Sequence, residues 1–192
     1  IGYTELATLN EGAEHCTAEL KEVLTAANRA KDLVKQILAF SRQTDEDRMP
    51  VRVALVAKEA VKFLRATIPA TIEIKTRIDG QSGAVLANSV ELHQIIMNLC
   101  TNAQHAIGDE AGLMEVSVQN IEIDLSQKND LIDLEIGAYV RISVRDTGYG
   151  MTPDVIKRIF DPYFTTKEKG VGTGLGLAVV HGIVKKYGGT IK

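Results

Sequence analysis

From Thr17 to Gln43 the chain has neither Gly nor Pro, and small or apolar side chains recur at Leu20, Val23, Ala27, Ala30, Val34, Ile37 and Ser41. Alternating steps of 3 and 4 residues predict a helix with one apolar seam, leaving Lys21, Glu22, Lys31, Asp32 and Lys35 on its outer faces. Such a helix cannot bury its seam alone. Residues Ile1 to Asn10 read as the end of a preceding helix and Glu11-Gly12 as the turn between the two, which predicts a truncated antiparallel hairpin. An amphipathic helix packed on its own domain is the alternative reading of the same stripe. The polar run Thr44 to Arg48 before Pro50 marks a boundary, dividing the chain into residues 1–47 and 48–192.

Beyond Pro50 the period switches between 2 and 3.6. A short strand is expected at Val51–Val53, an amphipathic helix at Leu55–Leu64, and an alternating strand at Thr71–Ile78 with Ile72, Ile74 and Ile78 on one face. Asp79 to Gly83 is a turn, Ala84–Ala87 a brief strand, and Asn88 or Ser89 caps a helix that runs to Ile107. Two strands near Leu113–Ile123 and Ala138–Asp146, joined by a polar loop around Ser126–Asp130, should pair antiparallel. A last helix is expected at about Leu175–Tyr187, and Thr190 should begin another strand. This order predicts an α+β fold, one mixed sheet covered on one face by helices.

Composition narrows the function classes. With 22 Lys+Arg against 25 Asp+Glu the net charge is −3, so no basic field points to nucleic acid, and any anionic ligand must be held by local geometry. Cys16 and Cys100 lack the spacing of a metal or redox pair, and a reduced, cytoplasmic compartment is the default. No run of 18 apolar residues is present, so no membrane contact is expected of this stretch, although a longer parent could be membrane-anchored.

On the helix Ser89–Ile107, the apolar stripe Leu92, Ile95, Ile96, Leu99, Ala103, Ala106 and Ile107 lies beside a second row of Glu91, Asn98, Asn102 and His105. Two asparagines at i and i+4 can offer amide oxygens to one hard cation such as Mg²⁺. A solvated polar face is the plainer reading. Asp146, at the end of a β-branched strand, could accept a hydrogen bond from an exocyclic amine, with Gly148 and Gly150 letting backbone pass close to a flat ring. An ordinary Asp-initiated turn has the same residues. The stretch Gly170–Leu177 leads into the last helix. Its glycines expose backbone N–H groups at a helix start, an arrangement suited to phosphate, with Lys167 and Lys169 just upstream. It is neither a Walker A loop nor a G-x-G-x-x-G turn. Between these, Phe160, Tyr163 and Phe164 sit in a polar, glycine-flanked stretch, either a hinged lid anchored by its aromatics or a packing excursion.

The succession NLCTNA, DTGYGM, IFDPYFTTK and GTGLGLAVV closely resembles the N, G1, F and G2 boxes of sensor histidine kinases, in order and at plausible spacings. LVKQILAFSRQ and IGYTELA resemble parts of their dimerisation hairpin. The resemblance implies a Bergerat-type two-layer α/β sandwich, shared with gyrase, mismatch-repair and heat-shock-chaperone ATPases, with ATP and Mg²⁺ as cofactors. It implies Asn102 as main Mg²⁺ ligand, Asn98 as its neighbour and His105 near the phosphates. Asp146 would read the adenine amine, with Gly148 and Gly150 shaping the base pocket. Phe160, Phe164 and Lys167 would belong to the ATP lid, and Gly172, Thr173, Gly174, Leu175 and Gly176 would line the phosphates. Implied partners are a second copy through the hairpin and a response-regulator receiver domain.

The implied activity is transfer of the ATP γ-phosphate to a histidine on the dimerisation helix, for relay to a receiver aspartate. A nucleotide-binding or dimerisation module without kinase activity is the alternative. The acceptor is expected upstream of Ile1, because none of His15, His93, His105 and His181 has an acceptor-like setting. This stretch is therefore expected to bind ATP without phosphorylating itself, and the final strands of the fold are expected beyond Thr190.

Overall fold

The computed structural model describes residues 48–124, 134–167 and 172–192, together with Val23 and Ala27. The chain divides into two compact units, Ile1–Asp45 and Glu46–Lys192. In the first, Val23 and Ala27 are helical, and both belong to the heptad stripe. The rest of the expected hairpin, His15 and the loop at Ser126–Asp130 lie outside the described residues.

The second unit runs β1 (Met49–Arg52), α1 (Val53–Thr67), β2 (Ile72–Ile78), β3 (Ala84–Ala87), α2 (Ser89–Ile107), β4 (Gly112–Ile123), β5 (Gly137–Asp146), α3 (Pro153–Ile156) and α4 (Gly176–Lys186). Three strands form a mixed sheet in the order β2-β4-β5. β2 and β4 are parallel, with Ile74 opposite Met114, whereas β4 and β5 are antiparallel, with Val116 opposite Val144. The connection between β2 and β4 contains β3 and α2, the long crossover that a parallel pair requires.

Alternation along β4 sends Met114, Val116 and Val118 into the core, each fully buried, where they meet Ile72 and Ile74 of β2 and the half-buried Val140, Ile142 and Val144 of β5. Helices α1, α2 and α4 contribute Leu64, Ile96 and Val180 to the same cluster. Each large side chain so buried stabilises the fold by roughly 1.5–3 kcal/mol. α2 packs against α1 on one side and α4 on the other while also touching β4 and β5. Helices thus cover a mixed sheet, as the pattern predicts.

Two local expectations need correction. The strands do not form one sheet, because β1 and β3 pair with each other in a separate antiparallel ribbon. β4 already occupies one edge of β2, and Pro50 of β1 carries no N–H to donate to a ladder. Thr190 begins no strand. The chain instead leaves α4 through Gly188, at φ +69°, with Gly189 N–H donating to Val184 O and Gly188 N–H to Lys185 O, a Schellman stop. Ile191 then packs onto the core.

Cys100, absent from the sequence-derived apolar stripe, lies in that core with no exposed surface. Burial pushes its thiol from 9.0 up to about 12. The unfolded thiol ionises above pH 9.0 and the native one only near 12, so stability is expected to fall as pH rises through that window. In a Cys16→Ser variant, the remaining thiol should resist a disulfide reagent at pH 8 to 9 under native conditions and react promptly in denaturant. Fast native labelling would contradict the buried placement.

Candidate functional site

α2 begins where the Asn88 side chain accepts from Val90 N–H at 2.8 Å and stops at Gly108, at φ +73°. Leu92, Ile95, Ile96, Cys100 and Ala103 are buried, so the helix can rotate no further, and Asn98, Asn102 and His105 are held on a half-buried flank. That flank faces the start of α4. A Cβ placed on Gly176 would lie 3.6 Å from Asn98 Oδ1 and 4.0 Å from Asn102 Nδ2. The N-terminal turn of α4, which contains no acidic residue, therefore meets the asparagine pair with the helix's positive end.

Lys167 reaches the same flank. Its Nζ donates to Asn102 Oδ1 at 3.3 Å and lies 2.7 Å from His105 Nδ1. Burial lowers the Lys167 pKa, while burial and then the Lys167 charge lower that of His105. The lowered His105 value suits a neutral imidazole whose Nδ1 can accept from Lys167 Nζ.

The Asp146–Gly150 turn abuts the C-terminal end of α2. Asp146 closes β5, and its Oδ1 accepts from Gly148 N–H at 2.9 Å. Thr147 Oγ1 accepts from Leu113 N–H at 3.0 Å, and Tyr149 N–H donates to Ala106 O at 3.1 Å. Gly148 lies so close to the helix that an added Cβ would come within 2.4 Å of the Ala106 carbonyl. Gly150 adopts φ +69°, a conformation glycine accepts without strain. These contacts place Asp146 beside the turn of α2 that carries His105.

The aromatic stretch is tied to the fold at several points. Phe160 stacks on His181 of α4, with centroids 5.0 Å apart, and the Arg158 guanidinium lies 4.3 Å above the Phe164 ring. Tyr163 alone among the described non-glycine residues has a positive φ, +67°. Its N–H donates to Gly174 O at 2.9 Å, and a Cβ on Gly174, itself at φ +67°, would strike the Tyr163 backbone at 2.4 Å. Thr173 Oγ1 accepts from Leu175 N–H at 3.4 Å. Gly172 packs against Thr165 and the Lys167 stem.

Thus Asn98, Asn102, His105, Lys167, Gly172 and Gly176 converge, with Asp146, Gly148 and Gly150 adjoining and Phe160, Phe164, Thr173, Gly174 and Leu175 framing the loop. Glu91 does not join them. Although on the same row, it receives Lys186 Nζ at 3.0 Å and the Tyr187 hydroxyl at the opposite end of α2. Arg158 and His181 were not legible as site residues, because their ring contacts depend on how the loop folds back, and Tyr163 was legible as a loop aromatic but not as a left-handed residue. Lys169 lies outside the described residues.

Among the described residues no group of three or more His, Cys, Asp or Glu could hold a metal. The amide oxygens on this flank are Asn98 Oδ1, beside Gly176, and Asn102 Oδ1, which accepts from Lys167 Nζ. They fit a hard cation that completes its shell with water and phosphate oxygens, as Mg²⁺ does, and do not fit a self-sufficient metal centre.

A sequence profile described as "Histidine kinase-, DNA gyrase B-, and HSP90-like ATPase" matches residues 87–192. The sensor kinase CckA of Brucella abortus (strain 2308) is 35% identical over 186 residues, 97% of this chain but only 20% of the relative. The chain thus spans about a fifth of that protein's length. Full-length ShkA in complex with AMPPNP superposes with a TM-score of 0.68 at 23% identity, covering 96% of this chain and 36% of ShkA. The histidine kinase ThkA, in complex with the response regulator protein TrrA, gives 0.64 at 20% identity over 97% of this chain and 49% of that one. At these identities the two structures attest the fold.

The close approach at Gly148 has a measurable consequence. Gly148→Ala is expected to lower stability by about 1–3 kcal/mol through forced displacement of the turn, read in denaturant melts. Gly80→Ala, where nothing lies within 4 Å of the added atom, is the control. Equal stability of the two variants would remove the steric reason for this glycine.

Proposed function

Because the chain belongs to the histidine kinase-, DNA gyrase B- and HSP90-like ATPase family, we propose that it contains the ATP-binding catalytic region of a sensor histidine kinase. The γ-phosphate passes to a histidine on a dimerising helical hairpin, and from there to an aspartate of a response-regulator receiver domain. The observation that carries this reading is the meeting of Asn98 and Asn102 with the N-terminus of α4, together with Lys167 bridging Asn102 and His105 on the same flank.

Phosphoryl transfer asks little covalent chemistry of the protein, only positioning and charge neutralisation. Asn102 and Asn98 offer oxygen ligands for Mg²⁺, which when bound offsets the triphosphate's charge. The first turn of α4 and the glycines 172, 174 and 176 present backbone to phosphate. Asp146, anchored through Oδ1 on Gly148 N–H, is directed to the adenine amine. Lys167 supplies a mobile positive charge, and His105 a neutral imidazole, beside the phosphates.

Neither His105, engaged by Lys167, nor His181, stacked on Phe160, is the acceptor. That role belongs to a separate hairpin histidine, with the heptad stripe of residues 17–43 serving a homodimer. No helix among the described residues is long and apolar enough to cross a membrane, and the reaction is assigned to the cytoplasm.

Incubation of this protein with a purified acceptor hairpin and γ-labelled ATP is expected to place acid-labile label on histidine. Nucleotide binding without label would favour a binding module lacking kinase activity. Asn102→Ala should weaken Mg²⁺-dependent AMPPNP binding by about tenfold or more in calorimetry, about 1.4 kcal/mol. Unchanged affinity would remove the metal-ligand role of Asn102.

A further inference from the structure

Asn102 Oδ1 and His105 Nδ1 are the two lone-pair groups on the site flank of α2 that face Lys167, and both are taken by its ammonium, at 3.3 and 2.7 Å. An ammonium has three donors and no acceptor, so it answers this corner as a compact cation would. A divalent ion at Asn102 Oδ1 would stand beside that ammonium in a half-buried place, where like charges repel strongly.

The lysine arm is shaped for this reach. Its own N–H donates to Thr165 Oγ1 at 3.1 Å. Across it lies Gly172, where a Cβ would come 3.0 Å from Lys167 Cδ and 2.7 Å from Thr165 Oγ1. The base of the segment is fixed by the Tyr163 N–H to Gly174 O bond and by the Phe160–His181 stack. Lys167 is therefore guided onto α2 between a glycine that leaves room for its stem and a base that does not yield.

Resting on the nucleotide-binding reading above, we propose that Lys167 is an internal counter-cation. In the nucleotide-free protein its ammonium fills the Asn102–His105 corner, and Mg²⁺-nucleotide enters by exchange, the ammonium leaving Asn102 as the site fills. Gly172 is the residue whose missing side chain permits the resting position.

The test reads the His105 tautomer by ¹⁵N NMR at mildly alkaline pH, in nucleotide-free protein and with saturating Mg²⁺-AMPPNP. Nucleotide-free wild type is expected to show Nδ1 as an acceptor and the proton on Nε2. Lys167→Met should shift the Nδ1 signal, because that nitrogen loses its charged donor. Gly172→Ala keeps the charge but crowds the stem, and should shift the signal the same way, which keeps the proposal testable if the first variant folds poorly. Mg²⁺-AMPPNP should move the wild-type signals toward those of nucleotide-free Lys167→Met. Identical His105 signals in nucleotide-free wild type and both variants would overturn the resting contact. Unchanged wild-type signals at saturation, with binding verified by calorimetry, would overturn the exchange. Absence of nucleotide binding by wild type would bring down the underlying reading and the exchange with it, while the nucleotide-free spectra would still report the Lys167 contact.

Discussion

The rotation of α2 about its own axis is the constraint on which the site depends. Leu92, Ile96, Cys100 and Ala103 bury one stripe of the helix beneath which β4 supplies Met114, Val116 and Val118. A one-residue slip would turn the helix by about 100°. It would bring amide side chains toward the core at a cost of about 1–3 kcal/mol for each left unsatisfied. Hydrophobic packing therefore aims Asn98, Asn102 and His105 as firmly as any direct contact could.

Each end of α2 then positions another part of the site. At its C-terminal turn, Ala106 receives Tyr149 N–H and touches Gly148, which carries Asp146 alongside. At its N-terminal turn, Glu91 binds Lys186 and Tyr187, and the Tyr187 oxygen accepts from Asn88 N–H. Burial, followed by the Glu91 hydrogen bond, raises the Tyr187 pKa, so the hydroxyl keeps its proton for that bond. Because this latch fixes the C-terminal end of α4, it also sets the line along which the N-terminal end approaches Asn98.

Charge is managed locally. A chain of net charge −3 gives an anionic ligand no general attraction, so among the described residues the helix dipole, backbone amides and Lys167 are the local sources of it over short range. The left-handed Tyr163, paired with left-handed Gly174, holds the loop base against α4 at a conformational cost of order 1–3 kcal/mol. Such strain persists where neighbouring contacts over-determine it, and here the stack on His181 and the Arg158 cation over Phe164 do so.

The limits of α2, a cap at Asn88 or Ser89, the brief β3 and the antiparallel β4–β5 pair were legible in the sequence, because periodicity, capping and turn chemistry act over a few residues. So was the row containing Asn98, Asn102 and His105, since helical geometry alone sets those neighbours. The separate β1–β3 ribbon, the diversion of Glu91 to residues 95 and 96 positions away, the Phe160–His181 stack and the docking of Lys167 were not. Those contacts join segments distant in the chain, and their existence depends on the mutual packing of three helices over one sheet. The sequence determined which side chains each element would offer, and tertiary structure decided which of them would meet.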